Sequence, residues 1–464
     1  MTPAARTRVL VATSLGVFMA WLDATVVNIA FPDIRSSFAG TSLADLSWVL
    51  NAYSIVFAAL LVPAGRLADL YGRRRLFMIG LVGFAAASLL CAAAPSAGLL
   101  VAARILQAAG GAVMVPTSLA LLLPAFPPER RATAVGLWGA AAAVASAIGP
   151  PVGGLLIDVA SWRLVFLVNL PIAFVAVVVG RRVLEESRDE SAHGLPDLVG
   201  STLLAGAIAL LSPGLVKGNE WGWASGRVLA AFAAAAVVGG VALLRSARHP
   251  APALQLELFR VRSFAVANLG TLLFATAFFA MLLGNVLFLT EVWGYSILKA
   301  GLAIAPSPAA AAVVAGPAGR LSDRYGQRPV AVPGAIVFTL GVMWLAWVVG
   351  SQPDYLATWL PAALLIGIGV GLAFPTFGSA AVASLGPAHF GVGSAISGTS
   401  RQVGAVLGVA ILVAIVGVPS GVATASDFDA AWLFSAGTAL ASAVAGLALG
   451  QVRVRAPVLA TEAA

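Results

Sequence analysis

Apolar runs of about twenty residues, separated by short polar turns, repeat along the whole chain. Fourteen such runs lie near 9–31, 46–65, 76–94, 98–122, 133–156, 163–180, 197–215, 227–245, 264–289, 299–318, 329–349, 357–381, 392–416 and 430–450. A helix of about 20 residues crosses about 30 Å of hydrocarbon. The pattern therefore predicts an all-α membrane protein with fourteen transmembrane helices. The first run extends to about Phe31 and holds Asp23, so it is expected to be a retained span rather than a cleaved leader.

Composition agrees with this expectation. Apolar residues make up 60% of the chain and charged residues 10%, with a mean hydropathy of +0.98. Soluble domains hold roughly 45–50% and 25%, so the surface suits a bilayer. The net charge of +8 does not predict nucleic-acid binding, because the basic residues fall in alternate turns. With the N-terminus in the cytosol, the inner segments hold 20 of the 27 Lys and Arg, including Arg66, Arg73, Arg74, Arg75, Arg320, Arg324 and Arg328. This predicts an even number of spans with both termini cytoplasmic, in the cell membrane. Cys91 is the single cysteine, and His193, His249 and His389 lack metal-ligand spacing. No metal, cofactor or disulfide is expected, and no phosphate-binding loop for direct ATP drive is visible.

One segment occurs twice. Pro63-Ala64-Gly65-Arg66-Leu67-Ala68-Asp69-Leu70-Tyr71-Gly72-Arg73-Arg74 returns 254 residues later as Pro317-Ala318-Gly319-Arg320-Leu321-Ser322-Asp323-Arg324-Tyr325-Gly326-Gln327-Arg328, with nine of twelve positions identical. Each copy follows the second span of its half. The chain thus reads as two related six-span bundles. Six spans and a loop need only roughly 190 residues, so the offset implies an inserted hairpin. The expected division is 1–190 for the first bundle, 191–262 for the hairpin with its linkers, and 263–464 for the second bundle and tail.

Polar residues inside spans carry the candidate chemistry. Asp23 lies deep in the first span, where a carboxylate costs about 2.5–3.5 kcal/mol unless it is protonated, paired or wet. It is a candidate proton carrier, the bland alternative being a hydrogen-bonded packing residue. Arg104 in the fourth span needs an acceptor; it either couples to Asp23, directly or through substrate, or snorkels to the headgroups. Asn28, Asn51, Tyr53, Gln107, Glu291 and Arg401 are candidates to line a substrate cavity, with interfacial exposure the alternative for Glu291. A partner for Arg401 is not readable. Gly65, Asp69, Gly72, Arg73 and Arg74, with Gly319, Asp323, Gly326 and Arg328 in the repeat, read as a loop latch. There glycines allow close approach and tight turns, Asp caps a helix, and Arg pairs across the halves.

These motifs resemble the fourteen-span drug:proton antiporter branch of the major facilitator superfamily, over nearly the whole chain. Gly65 to Arg75 is similar to its cytoplasmic loop motif, and Leu22-Asp23-Ala24-Thr25-Val26-Val27-Asn28-Ile29-Ala30-Phe31-Pro32 to its first-span motif. Arg104-Ile105-Leu106-Gln107-Ala108-Ala109-Gly110-Gly111 is similar to the fourth-span motif. Gly149-Pro150-Pro151-Val152-Gly153-Gly154 is similar to the fifth-span antiporter motif, with Ala145 where an upstream Gly is usual. The resemblance implies a proton-coupled exporter of small amphipathic compounds such as drugs or antibiotics, working as a monomer by alternating access. Its implied partners are a small-molecule substrate, protons and the lipid bilayer. A uniporter or symporter of a metabolite is the nearest alternative; a non-transporting sensor is a more remote one, and an enzyme is not expected.

Overall fold

The computed structural model describes residues 3–127, 131–188, 197–249, 252, 254–383, 385, 390–416 and 425–450. The described secondary structure is helical throughout, without a strand. Among the described residues, fourteen helices are long and apolar enough to cross a membrane. They are α1 (Ala4–Ser37), α2 (Leu43–Tyr71), α3 (Arg73–Ala93), α4 (Ala97–Ala125), α5 (Leu137–Val159), α6 (Leu164–Val183), α7 (Leu198–Val216), α8 (Gly226–Ser246), α9 (Arg262–Val292), α10 (Ile297–Ser322), α11 (Arg328–Val348), α12 (Tyr355–Ala381), α13 (Gly393–Val416) and α14 (Ala425–Leu447). Every expected span is present. Several are longer than their apolar runs, because a helix continues into polar flanks that hydropathy does not count. Since the spans alternate in direction, the start of α1 and the end of α14 share one face, the terminal face; the opposite face is distal.

The repeat seen in the sequence is also a repeat of packing. α1 lies on α5 as α9 lies on α13, and α3 on α4 as α11 lies on α12. α2 meets α4 as α10 meets α12, and α1 meets α6 as α9 meets α14. The α3/α4 crossing depends on Gly80 and Gly110: a Cβ on Gly80 would stand 2.9 Å from the Met114 backbone, and one on Gly110 2.7 Å from that of Phe84. Gly334 and Phe338, each 254 residues on, occupy the matching crossing of α11 and α12. Small residues let membrane helices approach closely, and here they do so in register in both halves.

The halves meet along two seams, α2 with α13 and α5 with α10. The inserted α7/α8 hairpin packs on α2 and α13, over the first seam. Its distal turn is tied to both halves. Lys217 pairs with Asp45 at 2.7 Å, and the Asn219 amide donates to the Ala414 carbonyl. At its terminal end Asp197 caps α7 through Gly200 N–H and pairs with Arg245 at 2.7 Å. Burial pushes the Asp197 carboxyl up, but the Gly200 N–H and Arg245 outweigh it and hold it below the usual carboxylate range. Large apolar side chains such as Phe174, Val313 and Trp347 stand open on the outside, as a lipid-facing belt requires.

The repeated motif is less loop-like than its sequence implies. α2 stays helical through Tyr71, and only Gly72, at φ +113°, breaks it before α3 starts at Arg73. Gly326 makes the same break at φ +90°. Among the described residues, Asp69 caps no neighbouring helix. Its Oδ1 takes Arg73 Nε at 3.0 Å, one turn away, so Arg73 pairs within its own half rather than across the halves. Glu186, from the segment after α6, supplies the cap: its two oxygens accept the N–H groups of Arg74 and Arg75 at 3.0 and 3.1 Å. Arg74 also donates to the Arg181 carbonyl at 2.8 Å. Gly65 and Gly319 do not serve close approach, since a Cβ on either meets nothing within 4 Å. Arg328 opens α11, and the Asp323 side chain lies outside the described residues. Gly72→Ala, strained at positive φ and driven into Glu186, is expected to cost about 1–3 kcal/mol. Gly65→Ala should stay within about 0.5 kcal/mol. Thermal unfolding in detergent separates the two.

Candidate functional site

Asp23 sits inside the first bundle, fully buried, where α1, α3, α4 and α6 converge. Each of those spans contributes one or more polar groups. Arg104 Nη1 donates to Asp23 Oδ2 at 2.6 Å and to Gln107 Oε1 at 2.6 Å. Gln107 Nε2 donates to Asp23 Oδ1 at 2.7 Å and to Ser88 Oγ at 2.8 Å. Asn169 Nδ2 donates to the same Asp23 oxygen at 2.9 Å and to Ser88 Oγ at 3.2 Å. Arg104 Nε reaches the Val49 carbonyl at 3.2 Å, and its guanidinium lies over the Tyr53 ring at 4.1 Å. The Arg104 side chain is 2% exposed, so it does not snorkel. A carboxylate with both oxygens engaged, facing a fixed guanidinium in low dielectric, is strongly held only while the whole network persists.

Ser88, Asn169 and Cys91 were not among the expected site residues. Ser88 looks like a small packing residue, and Asn169 sits near the distal end of its span, where a polar residue suggests the interface. Their common signal is modest: each is polar within an otherwise apolar run. Cys91 Sγ reaches Gln107 Oε1 at 3.7 Å, so it is part of the shell around the network.

Next to this network lie two adjoining cavities between the bundles, a small lobe and a large one that share part of their lining. The small lobe, about 70 Å³, is lined by Arg104, Tyr53, Asn28, Ser54, Gln402 and Arg401, among others. The large lobe, about 370 Å³, is apolar and aromatic, with Trp21, Phe278, Phe279, Phe374 and Trp359 on its walls. Trp21, Ala24, Phe279 and Arg401 border both lobes. Asp23 borders neither; Arg104 stands between it and the cavity. The carboxyl is thus one side chain back from the cleft rather than on its wall.

The other candidates divide. Asn28 lines the small lobe, its amide donating to the Ala24 carbonyl at 2.7 Å. Tyr53 and Arg401 also line it. Gln107 does not, because both ends of its amide are held by the Asp23 network. Asn51 does not either: it is 1% exposed, and its amide finds no partner among the described residues. Glu291 is at the distal end of α9, where Arg35 of the opposite half pairs with it at 2.5 Å, so it ties the halves together instead of facing the cavity.

The Gly149–Gly154 segment packs on two sides at once. A Cβ on Gly149 would overlap Thr25 Oγ1, and one on Gly153 would stand 2.5 Å from Ile29, both on α1. A Cβ on Gly154 would stand 2.5 Å from the Leu298 Cα on α10, and one on Gly301 would overlap the Pro150 carbonyl. The segment therefore joins α1 to the opposite half at the distal end of the cavity. Arg35–Glu291 is a second tie between the halves at that end.

The Major Facilitator Superfamily profile fits residues 13–409 and, in a second overlapping match, residues 267–463. The chain belongs to the major facilitator superfamily. It is 37% identical over 406 residues to the multidrug resistance protein Stp of Mycobacterium tuberculosis, covering 87% of this chain and 74% of that one. It is 36% identical over 421 residues to a probable actinorhodin transporter of Streptomyces coelicolor, covering 88% and 72%. Its fold matches that of a D-xylose-proton symporter with a TM-score of 0.67, at 16% identity over 96% of this chain and 98% of the other. The superfamily is one of transporters, and its two-bundle plan with a cleft between the halves is the plan found here.

Proposed function

We propose that this superfamily member exports small amphipathic organic compounds, drugs or antibiotics among them, in exchange for protons and by alternating access. We read it as a monomer of the cell membrane, with residues 1–190 and 263–464 as the moving bundles, 191–262 as the hairpin between them, and both termini in the cytosol. The resistance and transport functions in the names of its relatives support export, and the basic residues of the terminal face support the orientation.

One observation carries the coupling: Arg104 joins the buried carboxyl of Asp23 to the lobe where substrate would sit. A proton on Asp23 removes the countercharge of Arg104. Breaking a buried pair from one side costs about 3–5 kcal/mol, and the protein can relieve that cost by rehydrating or repositioning Arg104. Protonation and substrate then prefer different arrangements of one cavity, which is the differential that exchange requires. Transport of acidic, neutral and basic anthracene derivatives in proteoliposomes tests this. An imposed pH gradient should drive at least one of them against its own gradient. If none moves, export coupled to protons is lost.

A further inference from the structure

We propose that the cavity selects amphipathic aromatic anions, with Arg401 taking the acid group and the large lobe taking the ring system. This rests on the export reading above and narrows its substrate class. Among the described residues lining either lobe, the only charged side chains are Arg104 and Arg401. Arg104 is neutralised by Asp23 at 2.6 Å. Arg401 has no carboxylate within ion-pair distance and no hydrogen-bond acceptor among the described residues. Its guanidinium instead lies over the Trp21 ring at 5.0 Å.

An arginine keeps its charge and offers five donors in a planar fork suited to carboxylate. Stacked on Trp21 at the border of both lobes, it presents an unanswered positive charge to whatever enters. Asn28, Gln402, Tyr53 and Ser54 beside it can hydrogen-bond the rest of a polar head. The large lobe is built for the opposite end: aromatic faces and, among the described lining residues, no acid. A volume of about 370 Å³ suits a few fused rings. A lipophilic cation would find no carboxylate on these walls. Asp23 cannot serve, since Arg104, Gln107 and Asn169 already hold both its oxygens.

The test uses the purified full chain in detergent at neutral pH, with three probes followed by fluorescence anisotropy: anthracene-9-carboxylate, 9-(aminomethyl)anthracene and uncharged 9-anthracenemethanol. The carboxylate should bind at least about tenfold more tightly than the amine, a difference of about 1.4 kcal/mol. Arg401→Gln should abolish that discrimination while the alcohol still binds measurably, which shows that a usable cavity remains in the variant. Arg401→Lys should retain it in part. The proposal is overturned if the amine binds as well as the carboxylate, if Arg401→Gln keeps the discrimination, or if none of the three binds. Transport separates the two readings. Gradient-driven movement of the amine alone would preserve export and sink the anion site. Tight carboxylate binding without gradient-driven movement of any probe would preserve the site and sink export.

Discussion

Asp23→Asn is expected to reduce gradient-driven transport to the level of protein-free vesicles while leaving probe binding in the cavity measurable. The amide can keep hydrogen bonds within the network, but it cannot carry the proton or balance Arg104. The same change should cost stability, about 3–5 kcal/mol, because a buried guanidinium is left unpaired. Arg104→Gln should cost a similar amount for the mirror reason. The double variant, with neither charge, should recover most of the loss and still fail to couple. Thermal unfolding of the four proteins, alongside transport in proteoliposomes, distinguishes a coupling role from a merely structural one. If the double variant is stable and transports against a gradient, the pair is only packing. If Asp23→Asn alone retains full coupling, the carboxyl is not the proton carrier.

The second large effect is expected where the halves close. Gly154→Ala and Gly301→Ala each place a methyl against backbone of the opposite half, which cannot swing aside as a side chain can. Overpacking of this kind costs about 1–3 kcal/mol, and under the proposed alternating access it falls on the arrangement in which these distal contacts are made. Such a difference shifts a two-state population by about 5–150-fold. An Ala24→Cys reporter in a Cys91→Ala background reads the shift, since Ala24 borders both lobes. A membrane-impermeant maleimide applied to the distal face should label it much faster in the two glycine variants. Gly319→Ala, whose added Cβ meets nothing within 4 Å, should leave labelling unchanged. Equal labelling in all of them would mean that these contacts do not gate the cavity.

The fold was legible in the sequence because bilayer hydrocarbon imposes a length on every span, and because Pro63 to Arg74 and Pro317 to Arg328 reveal the duplication directly. The charged centre was legible for the same reason: Asp23 and Arg104 are costly where they stand and had to find each other or something else. The rest of the network was not. Ser88 and Asn169 are cheap enough in a helix to need no explanation, and only the convergence of α3, α4 and α6 on α1 brings them to Asp23. Glu291 and Asn51 were misplaced because one-dimensional depth says nothing about which neighbour a face meets. Arg35 answers Glu291 from 256 positions away. The Glu186 cap is also non-local, reaching Arg74 across 112 positions.

The distance between Ala39→Cys and Lys299→Cys, distal positions on opposite halves, tests the central claim most directly when labelled and measured across a pH series. In otherwise native protein the spacing should shift with pH between two values, as the proton on Asp23 redistributes the two arrangements. With Asp23→Asn added, one spacing should persist at every pH. A pH shift of the same size in the Asp23→Asn protein would contradict the account, because the switch would then answer to some other group.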